Sequence, residues 1–324
     1  MYYKNKEELK EKILKEDIVL KAYYGSKLFG TDTPDSDSDY IGIYMVPKQV
    51  LFGMEKLEEI DLSTNKTQSK NTNEDEDIKF YSIKKFFQIA YKNGPNAVEM
   101  LFTPEDRIIQ KSPIWDKIAS NFHLFVSQRV FSSMFEYALS QKQMARTKRD
   151  RYISIEKGIS FLSAVIEEGE KKLTEYHIEE LKKITGNYVN KSGRQREYLP
   201  KQPISQILKN FTDELNRYGH RAKKAMAEAT HEYRYDWKFA SHSIRLLVQC
   251  IELAETSKLV FPLKEHNLIL DVKSGKYKID EMEKLFDDLD DKFNRIKEKS
   301  LLQENPRYHE INKLLIEINE DYFK

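Results

Sequence analysis

Apolar positions along this chain follow two rhythms. Up to about residue 125, short apolar or alternating runs are separated by turn-forming clusters. Beyond it, apolar residues recur every three or four positions almost without interruption. Residues 6–16 place Leu9, Ile13 and Leu14 on one helical face. Ile18 to Tyr24 is an apolar run of strand length, ended by Gly25-Ser26. The turn cluster Gly30–Ser36 follows, and residues 37–46 alternate with β-branched and aromatic side chains, predicting a second strand. Residues 61–76 hold almost no apolar side chain and predict a loop. Asp77 to Tyr81 predicts a short strand entering a helix that runs to about Tyr91. Asn93-Gly94-Pro95-Asn96 breaks it, and a further helix starts over 97–102. From residue 122 onward, helices are predicted over 126–148, 150–170, 174–186, 203–229, 236–257, 279–300 and 307–320, with a polar, basic loop at 187–200. The expectation is an α+β fold: a head of mixed sheet and helices over 1–125, then a mainly helical body over 126–324. Thr103-Pro104 and Ser112-Pro113 mark the passage between them.

Composition narrows the class. With 40% hydrophobic residues, 17 Phe and 19 Tyr in 324 residues, the chain can build real cores. No apolar run reaches the roughly 18 residues of a membrane span, and the N-terminal segment lacks the apolar stretch of a signal peptide. Cys250 is the one cysteine, which excludes an intrachain disulfide and a cysteine-based zinc site, and points to a reducing compartment such as the cytoplasm. Overall charge is +1, yet residues 128–250 carry a net of +8 against −3 for 1–127 and −4 for 251–324. A basic middle third suits a polyanionic partner, and it equally suits a solvated, lysine-rich helical surface.

The residues that carry chemistry lie at 25–40, GSKLFGTDTPDSDSDY. A strand runs into Gly-Ser, and a second strand opens with Asp-x-Asp. Side chains two apart on a strand share a face, so Asp37 and Asp39 present two carboxylates together. Such a pair is stabilised by a cation, and oxygen-only ligands suit Mg²⁺ or Mn²⁺. Gly25 allows close backbone approach to a phosphate, and Ser26 adds a hydroxyl and an amide for the same anion. Rival motifs fail on the same residues. Gly30 is followed by Thr31-Asp32 rather than the Lys-Ser/Thr of a phosphate loop. A calcium loop beginning at Asp35 would need Gly and Glu where Tyr40 and Val46 stand, and a dinucleotide fingerprint would need glycine at Lys27. An acidic, solvated turn remains the structural alternative.

Gly-Ser followed about ten residues later by Asp-x-Asp resembles the signature of the DNA polymerase beta superfamily of nucleotidyltransferases. The longer stretch GSKLFGTDTPDSDSDYIGIYMVP is similar to the polymerase beta-like nucleotidyltransferases associated with RNA repair. DIKFYSIKKFFQIAYKNGPNAVEMLF resembles that family's third-carboxylate strand, the helix after it and an Asn-Pro-Asn turn, here interrupted by Gly94. Tyr235 to Leu247 resembles its Asp-x-Lys-x-x-x-His-x-x-Arg helix. The resemblance covers roughly residues 20–265. It implies a nucleotidyltransferase domain over 1–125 and a helical domain over 126–324 that adds to the cleft. It also implies that Asp37, Asp39 and Asp77 are catalytic and hold Mg²⁺ or Mn²⁺, and that Gly25, Ser26, Lys238, His242 and Arg245 bind the nucleotide. The NTP would donate its nucleoside monophosphate to a hydroxyl, with an RNA or tRNA end as acceptor and an RNA ligase as a possible partner.

Other readings of these residues remain open. Asp77 sits among Glu74, Asp75 and Glu76 and could be one acidic residue of many. Lys238, His242, Arg245 and Gln249 recur on one helical face, which also describes a solvated stripe. Lys142, Arg146, Lys148, Arg149 and Arg151 form a basic cluster able to track a nucleic-acid backbone, or merely an exposed helical surface. The alternatives for the whole chain are nucleotidylation of a protein or small molecule, as in toxin–antitoxin or antibiotic-modifying relatives, and a non-catalytic nucleotide-binding module.

Overall fold

A computed structural model describes residues 6–34, 36–63, 76–185, 202–226 and 235–324, and the side chains of these except at 6, 147–152 and 217–226. The fold is α+β, with a mixed five-stranded sheet and helices followed by a mainly helical C-terminal region. In chain order the first elements are α1 (Lys6–Glu16), β1 (Ile18–Tyr23), α2 (Gly25–Phe29), β2 (Ser38–Tyr44) and α3 (Lys48–Phe52). Next come β3 (Glu59–Asp61), β4 (Glu76–Ser82), α4 (Ile83–Tyr91), α5 (Pro95–Leu101) and β5 (Ile108–Lys111). Then follow α6 (Pro113–Ser120), α7 (Phe122–Phe125), α8 (Arg129–Glu167) and α9 (Glu175–Thr185). Further helices span Ile204–Met226, Trp237–Thr256, His266–Lys273, Ile279–Ile296 and Tyr308–Tyr322.

The strands lie in the order β3-β4-β2-β1-β5. β2 and β4 are parallel, and the other neighbours are antiparallel. Alternation along β2 and β4 sends Tyr44 and Phe80 into a core with Leu9, Ile13, Val46, Val50 and Ile60. The residues one step along the strands, Asp39, Asp77 and Tyr81 among them, therefore address the opposite face.

Several boundaries differ from the sequence reading. The helices expected at 126–148 and 150–170 are one continuous helix, α8. Lys148-Arg149-Asp150 is charged but contains neither Gly nor Pro, and charge alone does not end a helix. β3 and β5 are three and four residues long, too short for an alternating pattern to register. The expected loop over 61–76 begins at the end of β3 and stops where β4 starts; residues 64–75 within it, and the loop at 187–200, lie outside the described residues.

Packing divides the chain into two compact units, one made of residues 1–137, 245–269 and 288–324, the other of 138–244 and 270–287. This is a division by packing, whereas the boundary at 125/126 divides the chain by proposed role. The second unit has its own core of Ile155, Leu162, Val165, Leu173, Leu181, Ile204, Ile207 and Phe211. Gly158 lets α8 approach closely there, since a Cβ at that position would lie 2.5 Å from the Phe211 ring. Among the described residues, no helix is long and apolar enough to cross a membrane.

One half-buried acid gives the first unit a pH dependence. Burial pushes the Glu252 carboxyl up to about 7, aided by Glu265 and Glu255, while the Val260 N–H and Lys264 oppose the shift. Its Oε2 is buried with no hydrogen-bond partner. The folded chain therefore holds a proton that the unfolded chain releases near pH 4.5. This contribution favours folding below the unfolded value and is lost as pH rises through about 7. Glu252→Gln should flatten that loss, seen as a smaller fall in urea midpoint between pH 5 and 8.

Candidate active site

The register of β2 against β4 builds the site. In this parallel pair Asp39 stands opposite Asp77, so the two side chains leave the sheet side by side on one face. Asp37 immediately precedes β2 and joins them. Asp37, Asp39 and Asp77 each offer a carboxylate oxygen, and these oxygens lie within 4.8 Å of one another. Two unit charges at that spacing repel by about 3 kcal/mol at an effective dielectric of about 20. Three carboxylate oxygens converging at this range fit a hard divalent cation such as Mg²⁺ or Mn²⁺, which binds oxygen ligands. The donor set contains no nitrogen or sulfur and so does not suit zinc.

The Gly-Ser turn packs directly on this group. Tyr24 closes the β1–β2 pairing, its N–H donating to the Asp39 carbonyl at 2.9 Å. Gly25 then takes a φ of +58°, and a Cβ there would lie 2.0 Å from Asp39 Oδ2. Both the left-handed backbone and the missing side chain are therefore needed, and they bring the chain against a carboxylate. Ser26 follows in the first turn of α2, and its carbonyl accepts from the Thr31 N–H at 2.9 Å. Lys27 donates to Ser38 Oγ at 2.6 Å and lies 5.0 Å from the Tyr23 ring centroid.

A buried polar chain lies behind the turn. The Tyr24 hydroxyl donates to Glu99 of α5 and lies 3.0 Å from Asn96 Oδ1. Burial and the neighbouring Glu99 carboxylate push this hydroxyl upward, so it stays protonated. Glu99 is 0% exposed and forms an ion pair with Arg245, which is 8% exposed. Arg245 also donates to Gln249 Oε1 at 3.0 Å, and its guanidinium lies 4.2 Å over the Phe29 ring. Tyr24 and Glu99 escaped the sequence reading. The one available signal was a lone acid inside the apolar run Ala97-Val98-Glu99-Met100-Leu101.

The remaining site residues expected from sequence are placed differently. Arg245 and Gln249 are buried, so the stripe beginning at Lys238 does not continue along the helix as a solvated or open face. Lys238 is exposed, and His242 is half-buried with its ring beside Phe239. In the basic cluster, Arg146 forms a bidentate pair with Glu283 at 2.7 and 2.5 Å. Lys142 contacts Glu283 at 3.1 Å and Asp287 at 2.9 Å. The cluster's described members are thus largely neutralised by the Ile279–Ile296 helix. The side chains of Lys148 and Arg149 lie outside the described residues.

Comparison with known proteins agrees with this geometry. The chain is 30% identical over 300 residues to an uncharacterized 38.9 kDa protein in the nrdC-mobD intergenic region of Enterobacteria phage T4, covering 84% of this chain and 87% of that protein. The sequence pattern of the RlaP family matches residues 3–159, a span that holds all three aspartates, the Gly-Ser turn and Glu99. The chain belongs to this RNA repair pathway DNA polymerase beta family.

Proposed function

We propose that the protein is a divalent-metal-dependent nucleotidyltransferase that moves a nucleoside monophosphate from an NTP to a hydroxyl acceptor. The observation that carries this is the meeting of Asp37, Asp39 and Asp77 with a glycine turn packed on Asp39. In the proposed reaction the acceptor oxygen attacks the α-phosphorus. The new O–P bond forms as the bond to the β-phosphate bridging oxygen breaks, and its electron pair leaves with pyrophosphate. Asp77 helps take the hydroxyl proton. Gly25 and Ser26 hold the phosphates with backbone amide and hydroxyl donors. Asp37, Asp39 and Asp77 would hold Mg²⁺ or Mn²⁺, which supplies charge stabilisation for the attacking and leaving oxygens. Lys238 and His242 are proposed to contact the nucleotide. Arg245, expected beside them, has its guanidinium engaged by Glu99 and Gln249.

The family's description, an RNA repair pathway, supports RNA as the acceptor class; a tRNA end, an RNA ligase partner and a cytoplasmic setting are proposed with it. A second reading, nucleotidylation of a protein or small molecule, is favoured by the pairing of Arg146 and Lys142 with Glu283, which weakens the basic surface an RNA would use. Label transfer decides between them. Protein with Mn²⁺ or Mg²⁺ receives each α-labelled NTP, with small RNA or with cell protein, beside an Asp37→Ala/Asp39→Ala control. Label in RNA that depends on the aspartates supports the first acceptor class, and label in protein supports the second. Aspartate-independent labelling contradicts the chemistry.

A further inference from the structure

We propose that Tyr24, Glu99 and Arg245 act as a positioning relay that holds the Gly25-Ser26 turn in register with Asp39. The proposal rests on the nucleotidyltransferase reading above and adds three residues that do not touch substrate.

The relay grips α2 at both ends. At its start, the Tyr24 backbone N–H is tied to the Asp39 carbonyl while its hydroxyl is tied to Glu99. At its finish, the Phe29 ring lies under the Arg245 guanidinium and 5.8 Å from the Tyr24 ring. Glu99 and Arg245 close the loop between the two ends. Ser26 lies between these anchors, one residue beyond the glycine that packs on Asp39. Any tilt of α2 would therefore move the proposed phosphate donors relative to the carboxylates. Displacement of a reacting group by about 1 Å can cost on the order of 100-fold in rate.

Stability alone does not account for the relay. A buried ion pair is commonly no better than apolar residues of similar volume. This one also leaves Arg245 Nε and Gln249 Nε2 buried without hydrogen-bond partners, a further cost. Guanidinium and carboxylate do fix direction, which apolar packing does not. The carboxylates depend on a different support, because Asp39 and Asp77 are set by β2–β4 register. The relay should therefore govern nucleotide placement more than metal binding, and the two can be separated.

The test compares wild type with Tyr24→Phe, which keeps the ring, and with Glu99→Gln/Arg245→Met, which removes the ion pair without leaving a lone charge. Each is checked for folding by thermal melt. Mn²⁺ binding alone, Mn²⁺-dependent binding of a non-hydrolysable ATP analogue, and kcat and KM for label transfer are then measured. The expected result is Mn²⁺ affinity within about twofold of wild type, with analogue affinity or kcat lowered tenfold or more. Folded variants that match wild type in analogue binding and turnover overturn the relay and leave the nucleotidyltransferase reading intact. Loss of Mn²⁺ affinity and melting temperature together, in the same proportion as turnover, also overturns it, because that is what a purely structural contact does. Wild type that binds Mn²⁺ but no nucleotide overturns the underlying reading, and the relay with it.

Discussion

Asp39→Ala is expected to lower the proposed nucleotidyl transfer by at least about 1000-fold while the chain stays folded. The magnitude follows from what the residue is asked to do. Removing one donor that stabilises developing charge typically costs on the order of 100- to 1000-fold. Asp39 stands between Asp77, its partner across the parallel pair, and Asp37, and its Oδ2 also abuts Gly25. Its loss should therefore weaken the proposed cation site and unseat the glycine turn at once. Stability moves the other way or hardly at all. The three carboxylate oxygens lie within 4.8 Å, so deleting one relieves repulsion in the metal-free protein. Asp39→Asn separates charge from shape: it keeps the packing against Gly25 and removes one negative charge. Both variants should lose most Mn²⁺ affinity in calorimetry, with unfolding midpoints equal to or above wild type. Turnover within tenfold of wild type in Asp39→Ala, with the fold intact, would contradict the metal role.

This site was legible because its spacing reports its geometry. Gly25-Ser26 and Asp37-x-Asp39 are local, and the alternation expected of a strand already put the two aspartates together, although β2 itself begins at Ser38. Asp77 was reachable because it directly precedes an alternating run, although its partnership with Asp39 is a matter of sheet register, which no local pattern states. Periodicity revealed most helices of the C-terminal region, with ends within a few residues, but it split α8 in two and missed His266–Lys273. Two misread polar faces share one cause. Arg245 looked like part of an open polar stripe because Lys238, His242 and Gln249 share its helical face. Periodicity identifies a face, but not what packs on it. Glu99 lies 146 residues earlier in the chain, and its arrival turns an apparent solvent face into a buried ion pair. Likewise, Arg146 and Lys142 read as a basic surface until residues 137 and 145 positions onward, Glu283 and Asp287, are placed against them.

That long-range pairing has a measurable consequence. Arg245→Ala should destabilise the protein by roughly 3–5 kcal/mol, the usual cost of removing one partner of a buried pair. The reason is the residue left behind. Glu99 is 0% exposed, and the Tyr24 hydroxyl would be its remaining hydrogen-bond donor among the described contacts. Without the guanidinium, a carboxylate is left buried with no cation beside it, and that uncompensated charge sets the cost. Glu99→Gln/Arg245→Met removes both charges together and should recover most of the lost stability, though not the activity the relay supports. Urea titrations of the three proteins at one pH test this. A deficit in Arg245→Ala equal to that of the double variant would mean that the lost contacts with Phe29 and Gln249, rather than the stranded charge on Glu99, set the cost.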